Sequence, residues 1–140
     1  MAYATQDDLI SRFGEDEIRG LSDRARTGAI DAAVVAKAIA DASSTIDSYL
    51  GARYRLPLAE IDPRLTRIAA DLARRYLYSE RATDEVLAIE KRALDWLRDV
   101  ANGKAVIAVP SNAPTPSGMV VMVEESRPVF RDRRNRIGGW

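Results

Sequence analysis

The chain has 140 residues, of which 46% are hydrophobic and 30% charged, and its 21 basic and 21 acidic side chains leave no net charge. This size and balance suit one globular domain with a tail, and the zero net charge disfavours a globally basic nucleic-acid-binding protein. The absence of Cys and His excludes disulfides, the common zinc sites, and Ser-His-Asp or Cys-His catalysis.

Two short helical segments are predicted first. Thr5 is a typical N-cap residue, and the apolar spacing over residues 6–13 predicts a first helix that ends at Gly14. Residues 15–21 are predicted to form a second helical segment. Residues 22–30 are polar and predict a loop.

The longest helix is predicted over residues 32–50. Asp31 is a suitable N-cap residue, and the many alanines favour helix and allow close approach of a neighbouring helix. Gly51 is predicted to end this helix as a C′ glycine. The helix carries one apolar stripe, which consists of Val35, Ala38, Ile39, Ala42, Ile46, Tyr49 and Leu50.

A fourth helix is predicted to begin at Asp62-Pro63, because Asp at the N-cap followed by Pro at the first helical position is a strong start signal. It is predicted to end near Ser79. Its core face is predicted to comprise Leu65, Ile68, Ala69, Leu72, Ala73, Tyr76 and Leu77. Its water-facing side is predicted to comprise Arg64, Arg67, Asp71, Arg74 and Arg75.

A fifth helix is predicted to start at Thr83 or Asp84 and to stop at Asn102-Gly103. Its predicted apolar face is broad and comprises Val86, Leu87, Ile89, Ala93, Leu94, Trp96, Leu97 and Val100. The expected fold is therefore mainly α, a small bundle of four to five helices over residues 1–104.

Residues 105–140 are predicted to form a loop, a short β segment and an extended Arg-rich C-terminal arm. Residues 110–118 hold three prolines and predict an exposed loop, whereas the apolar, β-branched residues 119–123 predict a strand. Residues 126–140 carry five Arg and one Asp, a charge of +4, so the rest of the chain carries −4.

No apolar run approaches the roughly 20 residues that span a bilayer. Residues 1–8 turn acidic at once, which is unlike a signal peptide. We therefore expect no membrane association, and we expect the chain to stay in the cytoplasm in which it is made.

Catalysis and cofactor binding have little support in the sequence. The tight carboxylate clusters, Asp7-Asp8 and residues 15–17, lie near helix starts, where carboxylates are stabilising in any case. No Gly-rich phosphate loop is present. We expect a non-enzymatic protein without metal or cofactor.

A set of tyrosines and arginines allows two interpretations. In the first, the tyrosines stack on nucleic-acid bases and the arginines contact phosphates. In the second, which is favoured, the Tyr rings pack in the protein with their hydroxyls in water, and the arginines lie at helix C-termini. The set consists of Tyr49, Tyr54, Tyr76 and Tyr78 with Arg53, Arg55, Arg74 and Arg75.

The C-terminal arm is the favoured docking segment, because arginines and large apolar side chains together anchor protein interfaces. A solvated charged terminus is the competing interpretation, and contact with the DNA backbone is a further possibility. Arg53 and Arg55 are secondary interface candidates. The predicted docking residues are Arg127, Val129, Phe130, Arg131, Arg133, Arg134, Arg136, Ile137 and Trp140.

Three segments carry a resemblance to a known family. Residues 1–14 read MAYATQDDLISRFG, residues 46–58 read IDSYLGARYRLPL, and the C-terminal arm is Arg-rich. Together they resemble the Mu-like phage and prophage neck protein family, which is similar to the head-tail connector, or adaptor, proteins of other long-tailed phages.

The resemblance implies a structural virion protein located in the neck. It implies a subunit of a ring, expected to be dodecameric, that lies beneath the portal protein, continues the DNA channel and contacts a neck or tail-terminator protein. Packaged DNA would pass through without sequence-specific binding. The alternative from another class is a DNA-binding regulatory protein that uses the Arg-rich tail.

Overall fold

Residues 1–108 are described by the computed structural model, and five α-helices account for most of this part of the chain. They are α1 (Gln6–Phe13), α2 (Glu15–Ser22), α3 (Ala32–Leu50), α4 (Pro63–Tyr78) and α5 (Asp84–Ala101), with a 3₁₀ turn at Ser79–Arg81 between α4 and α5. The mainly α fold is confirmed. The predicted strand over residues 119–123 lies outside the described residues.

Side-chain caps begin four of the helices, three at the predicted cap residue and the fifth helix at Thr83, one of its two predicted starts. The hydroxyl of Thr5 accepts a hydrogen bond from the Asp8 amide while the Asp8 carboxylate accepts one from the Thr5 amide, a reciprocal capping box. The side chains of Asp31, Asp62 and Thr83 accept hydrogen bonds from first-turn amides of α3, α4 and α5, without the reciprocal bond. Each such cap is worth about 1 kcal/mol, so the helix starts are determined locally.

The core lies where α3, α4 and α5 pack against one another, and α1 and α2 cover it from one side. Its centre is formed by fully buried aliphatic side chains from four helices, namely Leu9, Ile46, Leu65, Leu72 and Leu97. Burying a leucine or isoleucine stabilises by roughly 1.5–3 kcal/mol. This shared core makes α1 to α5 one packed body.

The structure corrects several expectations about helix faces, and of the residues predicted to face water, Asp71, Arg74 and Arg75 are half-buried. Leu87 was expected in the core but is 40% exposed, because α5 turns that side away from α3 and α4. Arg74 was expected to face water, yet it is half-buried, donates to Glu17 at 2.6 Å and stacks over the Phe13 ring. The short helices α1 and α2 create this burial by covering α4, an arrangement that the pattern within α4 does not report.

The end of α2 and the conformation of the residue after α3 also differ from the sequence-based expectation. Gly51 follows α3 in right-handed conformation, with φ −59°, so the left-handed C′ geometry is absent there. A Cβ on Gly51 would lie 3.2 Å from the Asp47 carbonyl oxygen, so crowding is what disfavours a side chain. Ser22, expected in the loop, ends α2, and its buried Oγ accepts a hydrogen bond from the Asp31 amide at 3.1 Å.

Tyr3, which is only 2% exposed, holds the N-terminal segment against α3. The Tyr3 amide donates to Ser43 Oγ at 3.2 Å, and the Tyr3 hydroxyl donates to Asp47 Oδ1 at 2.5 Å. Burial, followed by the hydrogen bond to Asp47 and the charge of its carboxylate, raises the pKa of Tyr3 well above its usual range. The opening residues are therefore part of the folded body.

Candidate partner-docking interface

The predicted docking arm lies outside the described residues, and its assignment stays a prediction. This applies to Arg127, Val129, Phe130, Arg131, Arg133, Arg134, Arg136, Ile137 and Trp140. What the structure does describe is the stretch of chain that precedes this predicted arm. We refer to residues 105–108, the last described stretch, as the exit segment.

The secondary candidates, Arg53 and Arg55, both follow α3 but have different environments. Arg53 is half-buried, and its guanidinium packs against the backbone at Gly103, just after α5: a Cβ on Gly103 would lie 2.6 Å from Arg53 Nη1. Arg55 is exposed. Arg53 therefore closes the end of the bundle, while Arg55 lies on the surface near the same end.

Asp62 holds the exit segment from the start of α4. Its carboxylate is 4% exposed. Oδ1 accepts from the Arg64 amide at 2.8 Å and thereby caps α4. Oδ2 accepts from the Ala108 amide at 2.8 Å and from Arg64 Nη2 at 2.9 Å. One buried carboxylate thus joins a helix start to a backbone amide 46 residues later.

Arg64 extends the same connection to the surface. Its Nη2 donates both to Asp62 and to the Val106 carbonyl oxygen, the latter at 3.0 Å. Its guanidinium carbon lies 5.5 Å from the centroid of the Trp96 ring. A guanidinium within about 6 Å of an aromatic face gains a cation–π attraction. Arg64 therefore links the exit segment to α5 as well as to α4.

Tyr54 is the third anchor. It is buried, and its hydroxyl accepts a hydrogen bond from the Ile107 amide at 3.2 Å. Ile107 itself is 3% exposed and packs within the core. The expectation of a water-exposed hydroxyl is therefore wrong for Tyr54, because the exit segment covers it. It is also wrong in part for Tyr76, whose hydroxyl hydrogen-bonds to Thr45 Oγ1 at 3.0 Å.

The protonation of Asp62 reflects this environment. Burial raises the pKa of the Asp62 carboxyl, but hydrogen bonds from the Arg64 side chain and from the Ala108 and Arg64 amides outweigh it, and the pKa falls to about 2. The carboxylate is thus held ionised and fully hydrogen-bonded, as buried charges require. Asp62, Arg64 and Tyr54 together form what we call the exit clasp.

The carboxylate clusters have structural partners. Asp8 belongs to the capping box of α1, Asp16 pairs with Arg19 at 2.9 Å, and Glu17 pairs with Arg74. Over residues 1–108 there is no group of three or more acidic side chains placed to hold a metal ion. Over the same range, no helix is both long and apolar enough to cross a membrane.

Sequence reasoning missed most of the exit clasp. The sequence predicted Asp62 only as a helix cap and Arg64 only as a water-facing residue. Both predictions use only residues within one helical turn. The partners Val106, Ile107 and Ala108 are at least 42 residues away in sequence. The one available signal was the short apolar run after Gly103, which matches the burial of Ile107.

Comparisons with known proteins place this helical body in a family. The family model described as "Bacteriophage Mu, Gp36" matches residues 3–124. The chain is 37% identical over 134 residues to "Gene product J" of Escherichia phage Mu, covering 93% of this chain and 94% of that protein. It is also 37% identical over 101 residues to the "Mu-like prophage FluMu protein gp36" of Haemophilus influenzae, covering 72% of each.

These matches define a small, mainly helical bacteriophage protein. The chain belongs to the bacteriophage Mu Gp36 family. The resemblance to a Mu-like phage and prophage family, predicted from residues 1–14, 46–58 and the Arg-rich arm, is thereby confirmed.

Proposed function

We propose that the chain is a head-tail connector, or adaptor, subunit that forms a ring beneath the portal and joins the DNA-filled head to the tail. The observation that carries this proposal is the exit clasp. The buried side chains of Asp62 and Tyr54 and the exposed side chain of Arg64 fix the exit segment, so the predicted docking arm would begin at one defined point. A rigid body with a fixed departure point suits a subunit that attaches through its arm.

The composition of the arm supports a protein partner. Residues 126–140 combine five arginines with Phe130 and Trp140, and arginine with large aromatics is what anchors protein interfaces. We assign the arm to the portal protein. The opposite side of the ring would contact a neck or tail-terminator protein, and packaged DNA would pass through without base-specific contacts. The subunit would then be located in the virion neck.

Ring symmetry explains how a short arm can be sufficient. Each subunit would contribute one docking segment. In a closed ring, which we expect to be dodecameric, the equivalent contacts are made at high effective concentration. Individual arm contacts can therefore be weak while the assembled ring is held firmly. The exit clasp would keep all the arms in the same orientation, which reduces the ordering cost of docking.

Deletion of residues 126–140 tests the proposal. Because the core and the exit clasp lie within residues 1–108, the truncated chain is expected to keep the helical circular dichroism and thermal midpoint of the full chain. It should fail to attach to DNA-filled heads and to complete particles in an in vitro assembly reaction. A truncated chain that still completes particles would refute arm docking.

Two full-length variants identify which property of the arm matters. Phe130→Ala with Trp140→Ala removes the apolar anchors and keeps all the charge, whereas Arg→Gln at the five arm arginines removes charge and keeps the anchors. Pocket filling by the aromatics predicts that the first variant loses head attachment even at low salt. Duplex DNA gives the contrast: a regulator that binds phosphates would show an affinity that falls steeply with salt and depends on the arginines alone.

A further inference from the structure

A groove between α4 and α5 has chemistry that the connector proposal leaves unused. Its floor is formed by the buried side chains Ile68 and Ala93, and half-buried Ile89 and Trp96 form one wall. The open volume is about 290 Å³. Trp96 and Ile89 are seven residues, and therefore about 10 Å, apart along α5. The groove is long enough for a short apolar peptide segment.

Positive charge surrounds this groove. Exposed Arg67 and Arg92 line it, and exposed Arg12 of α1 also acts on the half-buried Asp71 carboxylate there. Among residues 1–108, none of these three arginines forms a direct salt bridge, unlike Arg74, which is committed to Glu17. Three cations around one carboxylate leave an excess of positive charge beside an apolar floor. Such a surface matches an apolar segment that carries acidic residues.

The chain contains such a segment. Residues 119–125 read MVVMVEE: five consecutive apolar side chains are followed by Glu124 and Glu125. The apolar run would cover Ile89 and Trp96, and the glutamates would face the arginines. Aliphatic side chains packed on a tryptophan with charge pairs at the rim are the usual composition of a protein interface.

The intervening chain is long enough for the segment to reach a second copy. The exit segment leaves beside Trp96, since Arg64 contacts both the Val106 carbonyl and the Trp96 ring. Ten residues, three of them proline, separate residue 108 from Met119. Proline-rich sequence extends by about 3.1 Å per residue, which gives a reach of at most about 31 Å. That is far more than the roughly 10 Å length of the groove.

In a ring of such subunits, a neighbouring copy would lie at about this distance. A folded body of this size has a radius of gyration of about 13 Å, and therefore a width of roughly 30–35 Å. A reach of up to about 31 Å allows residues 119–125 to bind the corresponding groove on the next subunit. This arrangement is heterologous, as the contacts of a closed ring are.

We propose that the groove between α4 and α5, with Arg67 and Arg92 at its rim, binds residues 119–125 of a second copy of the chain. The inference deepens the connector proposal, on which it rests, by naming the contact that links neighbouring subunits. Residues 126–140, which follow the bound segment, stay available for the portal.

Introduced cysteines test this contact, because the chain has no natural one. A full chain with Ile89→Cys is mixed with an equal amount of a full chain with Met122→Cys and oxidised mildly. A covalent dimer of the two different chains is expected. Leu87→Cys is the matched control on the opposite, exposed side of α5, and its cross-linking with Met122→Cys should be at least about tenfold slower, corresponding to about 1.4 kcal/mol of docking preference.

Two results overturn the proposal. One is equal cross-linking by Ile89→Cys and Leu87→Cys. The other is a disulfide that forms within a single chain carrying both Ile89→Cys and Met122→Cys, together with no dimer in the mixture of single variants. The segment would then bind the groove of its own chain. Circular dichroism of each variant establishes that the helical body is intact, so a negative result is not a folding failure.

Charge reversal gives a second, independent test. Arg92→Glu should lower the rate of covalent dimer formation about tenfold, and adding Glu124→Arg and Glu125→Arg in the partner chain should restore it. Arg24→Glu, at an exposed arginine away from the groove, should leave the rate unchanged. Absence of restoration contradicts the assigned pairing. A chain that cross-links as expected but does not attach to heads refutes the connector role and leaves the groove assignment standing.

Discussion

Replacing Asp62 by Asn is the most informative single change, because it keeps the size of the side chain and removes its charge. An Asn oxygen can still accept from the Arg64 amide and cap α4. The amide nitrogen then occupies the Oδ2 position, where the Ala108 amide and Arg64 Nη2 both donate. Three donors meet with no acceptor, so the exit segment should detach.

The magnitude follows from the pKa of Asp62, which folding lowers from 3.8 to about 2. At about 1.4 kcal/mol per pKa unit, the ionised carboxylate contributes about 2.5 kcal/mol to the free energy of unfolding at neutral pH. The side chain is 4% exposed, so solvent screening takes little of this away. Asp62→Asn should therefore cost about 2–3 kcal/mol, which lowers the thermal midpoint by roughly 10 °C or more.

The pH dependence has a definite sign. Because the folded pKa of Asp62 is lowered, its contribution is complete above the unfolded value of 3.8 and is lost as the pH falls towards about 2. The difference in unfolding free energy between the natural chain and Asp62→Asn should thus shrink by about 1 kcal/mol between pH 7 and pH 3. Urea unfolding at both pH values measures it.

A matched control and a local readout complete this test. Asp41→Asn removes a carboxylate from an exposed pair with Lys37 and should change stability by less than about 0.5 kcal/mol. Hydrogen exchange at the Ala108 amide should accelerate in Asp62→Asn and not in Asp41→Asn. A cost below about 0.5 kcal/mol for Asp62→Asn, or a cost independent of pH, would refute the assignment of this carboxylate as the anchor.

Two further variants probe the same end of the bundle. Tyr54→Phe leaves the buried amide of the exit segment without an acceptor, so urea unfolding should show a loss of about 1–2 kcal/mol; an unchanged midpoint would mean that another group accepts this hydrogen bond. Gly103→Ala places a side chain at φ +83° and 2.6 Å from Arg53 Nη1. Backbone strain should lower the free energy of unfolding of this variant by about 1–2 kcal/mol. Adding Arg53→Ala should remove only the steric part of the loss, and complete recovery of stability would contradict the strain argument.

Helix positions could be predicted because their signals are local. Thr5, Asp31, Asp62 and Thr83 sit one residue before the helices they cap, and the apolar spacing identifies most of each buried face. The hydrogen bonds that end a helix, and the side chains that satisfy them, come from residues within one or two turns. The predicted bounds of α1 and α3 therefore agree with the structure.

The exposure of residues on those helices depends on what packs over them. The pattern of α4 predicted that Arg74 faces water, but α1 and α2 place Phe13 and Glu17 against it. Leu87 looked buried from the pattern of α5, but no neighbouring element covers it enough. Periodicity shows that a helix has two faces, whereas tertiary packing determines how far each face is covered.

The sequence by itself determined the helical class, the side-chain caps of α1, α3 and α4, the absence of thiol and imidazole chemistry, and the family. Tertiary structure alone decided that Asp62 and Tyr54 hold amides at the other end of the described chain. The physical reason is that a carboxylate or hydroxyl accepts from any donor brought within about 3 Å. Which donor arrives is set by how the five helices pack around the core.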